Sequence, residues 1–131
     1  MNLLLDTHVA LWALTADAKL SRQARALIAD PSNTLAVSVV SLWEIAIKNA
    51  LRRKGANPLA FSAGEALRLF EEAGFRMLPI TAGHAVAVEA LDNFHGDPFD
   101  RLLVAQALTE PLRLVTHDAA LAGYSDTVIL V

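Results

Sequence analysis

The sequence predicts an α/β sandwich built on a parallel sheet. Short apolar runs of four or five residues recur along the chain, and helical patterns separate them. The runs are nearly continuous in apolar residues rather than alternating, as strands covered on both faces are. Strands that alternate with helices imply right-handed crossovers in a parallel sheet. At 131 residues, one domain spanning 1–131 is expected.

The elements follow in order. Asn2–Asp6 is an apolar run that ends in an acid and reads as a buried strand. His8–Leu14 and Ser21–Ala29 carry helical spacing, and Asp30-Pro31 closes the second. Leu35–Ser38 is the next strand. Ser41-Leu42-Trp43-Glu44 has the pattern of a capping box and opens a third helix. Ser62-Ala63-Gly64-Glu65 opens a fourth in the same way, with Gly74 as its stop. Arg76–Ile80 is a strand, and a fifth helix runs from Thr81 to Asp92-Asn93. Asp97-Pro98 opens a sixth helix with proline at its favoured first position. Leu112–Thr116 and Thr127–Val131 are strands, with a short helix over Asp118–Ala122 between them.

Composition narrows the function. Hydrophobic residues make up 54% of the chain, which excludes a disordered protein, and the absence of cysteine excludes disulfide scaffolds and cysteine zinc sites. Asp6 interrupts the first apolar run, so no signal peptide is expected, and the longest uncharged apolar run ends at Glu44, too short for a membrane helix; a cytoplasmic location is expected. The net charge of -3 is uneven: residues 92–131 hold six acids against Arg101 and Arg113. Such a chain does not coat nucleic acid through a broad basic face, yet it could cut nucleic acid with metal ions.

In open α/β sheets, ligands bind beyond the carboxyl ends of the strands. Asp6 ends the first strand and Asp118 follows the fourth. Glu44 lies near the start of the third helix and Asp100 near the start of the sixth. Each has a structural reading: Asp6 and Asp118 as helix N-caps, Glu44 and Asp100 as capping-box acids. Four acids at one sheet edge nonetheless repel one another, and a hard divalent cation is the simplest compensation. The glycine motifs of phosphate and dinucleotide loops are missing, as are the GxSxG elbow and a DxD pattern after the first strand. On the third helix Glu44, Lys48 and Arg52 share one stripe. They form either a solvated ion-pair ladder or, through Lys48 and Arg52, a grip on the phosphates of a nucleic acid. The same helix is apolar over Leu42, Trp43, Ala46, Ile47, Ala50 and Leu51, mostly as core, with a partner groove taking any remainder. His8 and His117 flank the acids and could touch the site. His84 is expected to be partly exposed, His95 to order the loop before Asp97, and Arg101 to pair with Asp97.

The segments Leu3-Leu4-Leu5-Asp6-Thr7, Ser38–Ile45, His95-Gly96-Asp97-Pro98-Phe99-Asp100-Arg101-Leu102-Leu103 and Val115-Thr116-His117-Asp118 resemble the PIN-domain family. The likeness is strongest to the VapC toxins that carry HxDPFDR. It implies a three-layer α/β/α sandwich around four to five short parallel strands. It also implies an Mg2+-dependent endoribonuclease, with Mn2+ substituting, which hydrolyses RNA through metal-activated water. The family's acidic quartet falls on Asp6, Glu44, Asp100 and Asp118, with Asp97, Thr7 and Thr116 standing behind them. A homodimer and a small antitoxin partner are implied as well. Two other readings fit the same residues: a PIN nuclease of RNA processing without an antitoxin, and a non-catalytic PIN-like module binding RNA or protein.

Overall fold

Strands β1 (Asn2–Leu5), β2 (Thr34–Ser38), β3 (Arg76–Leu78), β4 (Arg113–Thr116) and β5 (Val128–Leu130) form one parallel sheet in the order β3-β2-β1-β4-β5. The computed structural model describes residues 1–52, 61–92 and 96–131. The helices are α1 (Thr7–Thr15), α2 (Arg22–Ala29), α3 (Val39–Arg52), α4 (Ala63–Glu72), α5 (Ala82–Ala87) and α6 (Pro98–Thr109). Two 3-10 segments, Val88–Ala90 and Ala119–Tyr124, complete the order.

Strand geometry sends successive side chains to opposite faces, and two cores result. Leu3, Leu5, Val37 and Val115 join Val9, Ile45 and Phe70 on one face. Leu4, Ala36 and Leu114 join Leu103, Val104 and Leu121 on the other. The continuous apolar strands therefore fill both cores of a three-layer α/β/α sandwich.

Several boundaries differ from the sequence reading. β3 ends at Leu78 because Pro79 has no amide hydrogen for the ladder. The third helix starts at Val39, not after Ser41. Ser38 Oγ accepts the Val40 amide at 2.9 Å, so Ser38 takes the capping role and Ser41 lies buried within the helix. The fifth helix closes at Ala87 and tightens into a 3-10 turn, and the segment after Asp118 is likewise 3-10. α4 has the expected capping box between Ser62 and Glu65. Gly74 follows it with φ of 85°, a left-handed conformation that glycine adopts without a Cβ penalty.

The apolar face assigned to α3 is also corrected. Ile45 and Val40 are the buried apolar residues there, whereas Trp43 is 50% and Leu51 80% exposed. Ala46 and Ala50 are exposed too. Among the described residues, no helix is long and apolar enough to cross a membrane.

Candidate active site

Strand order places the site. The chain leaves β1 toward β2 and β3 on one side, then returns to β4 on the other, so the carboxyl ends of β1 and β4 adjoin at a topological switch point. Leu5 is in register with Val115, and the Asp6 amide donates to the Val115 carbonyl at 3.0 Å. Asp6 and the residues after β4 are thus held side by side by the sheet.

Asp6 is buried, with 6% of its surface exposed. Its Oδ1 accepts the Val9 amide at 2.8 Å, capping α1, and its Oδ2 accepts the Thr116 hydroxyl at 2.5 Å. Thr116 Oγ1 in turn accepts the Asp118 amide at 3.0 Å. Burial pushes the Asp6 carboxyl above the ordinary aspartate range, against the pull of these hydrogen bonds. Among the described residues no lysine or arginine forms an ion pair with it. Asp118 caps the 3-10 turn through the Ala120 amide. Both acids therefore serve as N-caps, and a capping carboxylate keeps lone pairs for another ligand.

Glu44 is buried on α3. Thr7 Oγ1 lies 2.7 Å from Glu44 Oε1 and 2.8 Å from Ser41 Oγ, while Lys48 Nζ lies 2.5 Å from Glu44 Oε2. The capping-box reading of Glu44 is replaced by these bonds, and the ion-pair reading of Lys48 is realised. Asp97 caps α6 by accepting the Phe99 and Asp100 amides, which sets Asp100 half-buried in the first turn. Phe99 packs edge-on against Trp43 with centroids 5.0 Å apart, bringing the start of α6 against the turn of α3 that bears Glu44. The side chain of Arg52, and His95, lie outside the described residues.

A cavity of about 520 Å³ opens at the switch point, lined by Asp6, His8, Trp12, Lys19, His117, Asp118 and Ala119. It brings Asp6 and Asp118 together with His8 and His117; Glu44 and Asp100 are not among its lining residues. Among the described residues, no three carboxylate or imidazole groups stand close enough to form a metal cage as they are. The donor chemistry nevertheless suits a hard divalent cation: carboxylate and hydroxyl oxygens, no thiol, and a buried carboxylate that has His8 nearby but, among the described residues, no lysine or arginine paired with it. Trp12, which the sequence offers with Trp43 only as an anchor for a partner groove, and Lys19 both line the cavity. The available signal was the placement of Trp12 four residues after His8 on α1.

Two further expectations are revised. His84 is fully buried, not partly exposed: its ring accepts the Thr81 amide at 3.0 Å and bonds Glu110 through Nε2. Arg101 donates to the carbonyls of Asp92 and Val88 and to the Tyr124 hydroxyl, so it ties the start of α6 to the 3-10 segments on either side of it in sequence.

The PIN domain family model matches residues 3–126. The chain belongs to the PIN-domain family. This PIN domain is 33% identical over 124 residues to Ribonuclease VapC22 of Mycobacterium tuberculosis, covering 94% of this chain and 92% of that protein. Its fold also resembles the crystal structure of VapBC2 from Rickettsia felis bound to a promoter DNA fragment. There the TM-score is 0.68 at 16% identity, over 100% of this chain and 98% of that one. A toxin-antitoxin complex from Klebsiella pneumoniae gives 0.63 at 20% identity, covering 96% and 94%. The PIN-like α/β/α architecture read from the sequence is the architecture observed.

Proposed function

We propose that this PIN domain is an endoribonuclease dependent on Mg2+ or Mn2+ and the toxin of a toxin–antitoxin pair. The observation that carries the reading is Asp6, a buried carboxylate raised by burial, tied to Thr116 and opening into the same cavity as Asp118. A buried acid without a lysine or arginine partner is costly to ionise, and a site that binds a cation offsets that cost. Likeness to Ribonuclease VapC22 supports RNA as the substrate. The two toxin–antitoxin complexes that share the fold support a small antitoxin as partner.

Asp6, Glu44, Asp100 and Asp118 are the residues that would hold the ion. When bound, a divalent ion supplies positive charge against the scissile phosphate and acidifies water near it. The chain itself prepares the acids. Thr116 and the Val9 amide fix both oxygens of Asp6, and Thr7 and Lys48 fix those of Glu44. Asp97 fixes the turn that carries Asp100. Lys48 pairs with Glu44, so of the basic stripe that the sequence sets four residues apart on α3, Arg52 is the residue that would meet flanking phosphates. The homodimer that the family likeness implies would have Trp43 and Leu51, both exposed on that helix, available to it.

The purified chain is expected to cleave single-stranded RNA with Mg2+ or Mn2+ and not in EDTA. Asp6→Asn and Asp100→Asn are expected to lose cleavage while keeping the wild-type circular dichroism spectrum. Wild-type rates from either folded variant reject the assignment.

A further inference from the structure

We propose that Trp12, His8 and His117 form a nucleobase-stacking subsite beside the acids, with Lys19 facing the strand's backbone. This rests on the nuclease reading above and adds to it where the substrate's base is held. The three rings come from two separate elements. His8 and Trp12 lie one turn apart on α1 with centroids 5.8 Å apart, and His117, just after β4, meets Trp12 edge-on at 5.2 Å. All three rings and Lys19 line the cavity that holds Asp6 and Asp118.

Stability alone does not account for this arrangement. Trp12 is half-buried and packs against the core, but both histidines and Lys19 are exposed. A half-buried indole flanked by exposed imidazoles at a carboxylate cavity fits single-stranded RNA, whose unstacked bases pack on such rings and hydrogen-bond through their edges. A strand running past Asp6 and Asp118, its phosphate kept off the carboxylates themselves, would lay a neighbouring base on the ring cluster. Lys19 would offer a backbone phosphate the cation that the acids cannot. Stacking also explains how a chain of net charge -3 holds RNA without a broad basic face.

The test uses the full chain carrying Trp43→Phe, which leaves Trp12 as the sole tryptophan. The protein is titrated in EDTA at low ionic strength, so that no metal-dependent cleavage occurs. The probes are a short single-stranded oligoribonucleotide and inorganic polyphosphate of matching charge. RNA is expected to quench Trp12 fluorescence saturably and polyphosphate is not. Adding His117→Ala is expected to weaken RNA affinity roughly ten-fold, within the range for loss of one base–ring stack. Quenching by polyphosphate equal to that by RNA overturns the subsite, as does labelled RNA binding without quenching or no binding at all. A Trp12 signal that changes with protein concentration alone would make the cavity an interface between copies and would also overturn it. The two readings fail separately. RNA cleavage without Trp12 quenching removes the subsite and leaves the nuclease. Saturable quenching by a chain that never cleaves RNA keeps the subsite and removes the nuclease.

Discussion

Thr116 Oγ1 donates to Asp6 Oδ2 across 110 residues of chain. The bond is possible because β1 and β4 are paired in register, so the two strand ends meet at the switch point. The same oxygen accepts the Asp118 amide, so one hydroxyl orients two of the four acids.

Replacing Thr116 with valine keeps the shape and removes both bonds. A hydrogen bond to a charged group contributes about 1.5–3 kcal/mol, so metal-dependent cleavage should fall roughly ten- to hundred-fold. Thr116→Ser should retain most of the rate. Single-turnover cleavage at saturating Mg2+, with circular dichroism as the fold control, checks this. A valine variant that cleaves like wild type would show that Thr116 only fills space.

Asp6 carries a stability consequence of its own. Burial raises its carboxyl above the ordinary aspartate value, so between the unfolded and folded values the folded state binds more protons. Stability therefore falls as pH rises through that window, and the charged acid destabilises the metal-free fold at neutral pH. Asp6→Asn removes the charge. Its amide oxygen can still accept the Val9 amide, and its NH2 group can donate to Thr116. The variant should melt above wild type at pH 7 in EDTA, and the difference should shrink below pH 3.8. Thermal melts across pH decide it: a lower melting temperature for the variant at pH 7 contradicts the account.

How far the chain could be read in advance depended on whether a feature was local. Asp6 was legible because it ends an apolar run, and Asp97-Pro98 because proline favours the first helical position. The family likeness then named the quartet from motifs that local reading could only list as candidate acids. What stayed hidden depended on distant contacts. The start of α3 looked like Ser41 because Ser41 precedes a glutamate by three residues. The true start lies two residues earlier, since Ser38 is held by Gln106, 68 residues away. The buried face of α3 was misjudged for a related reason. Glu44 is polar by type yet buried, because Thr7 and Lys48 satisfy it. A partly exposed His84 follows from its helix position alone, whereas its burial depends on Glu110, 26 residues away, and on the Thr81 amide.

Gln106 links that hidden network and offers the sharpest stability test. Its Oε1 accepts the Ser38 hydroxyl at 2.5 Å, and its Nε2 donates to the Pro79 carbonyl at 3.2 Å and lies 3.3 Å from His84 Nδ1. His84 Nδ1 also faces the Thr81 amide donor, so the ring's proton belongs on Nε2, where it meets Glu110. Among the described residues no buried side-chain nitrogen or oxygen lacks a partner, so removing one member leaves others unsatisfied. Gln106→Leu should cost about 1–3 kcal/mol of unfolding free energy in a denaturant titration. Ser38→Ala should cost about 1 kcal/mol through loss of the Val40 cap. Because the two residues share a bond, the double variant should lose less than the two single losses combined, by at least about 0.5 kcal/mol. Strict additivity would mean that α3 begins at Val39 independently of Gln106, and that the link from β2 to α6 contributes nothing to where Glu44 is carried.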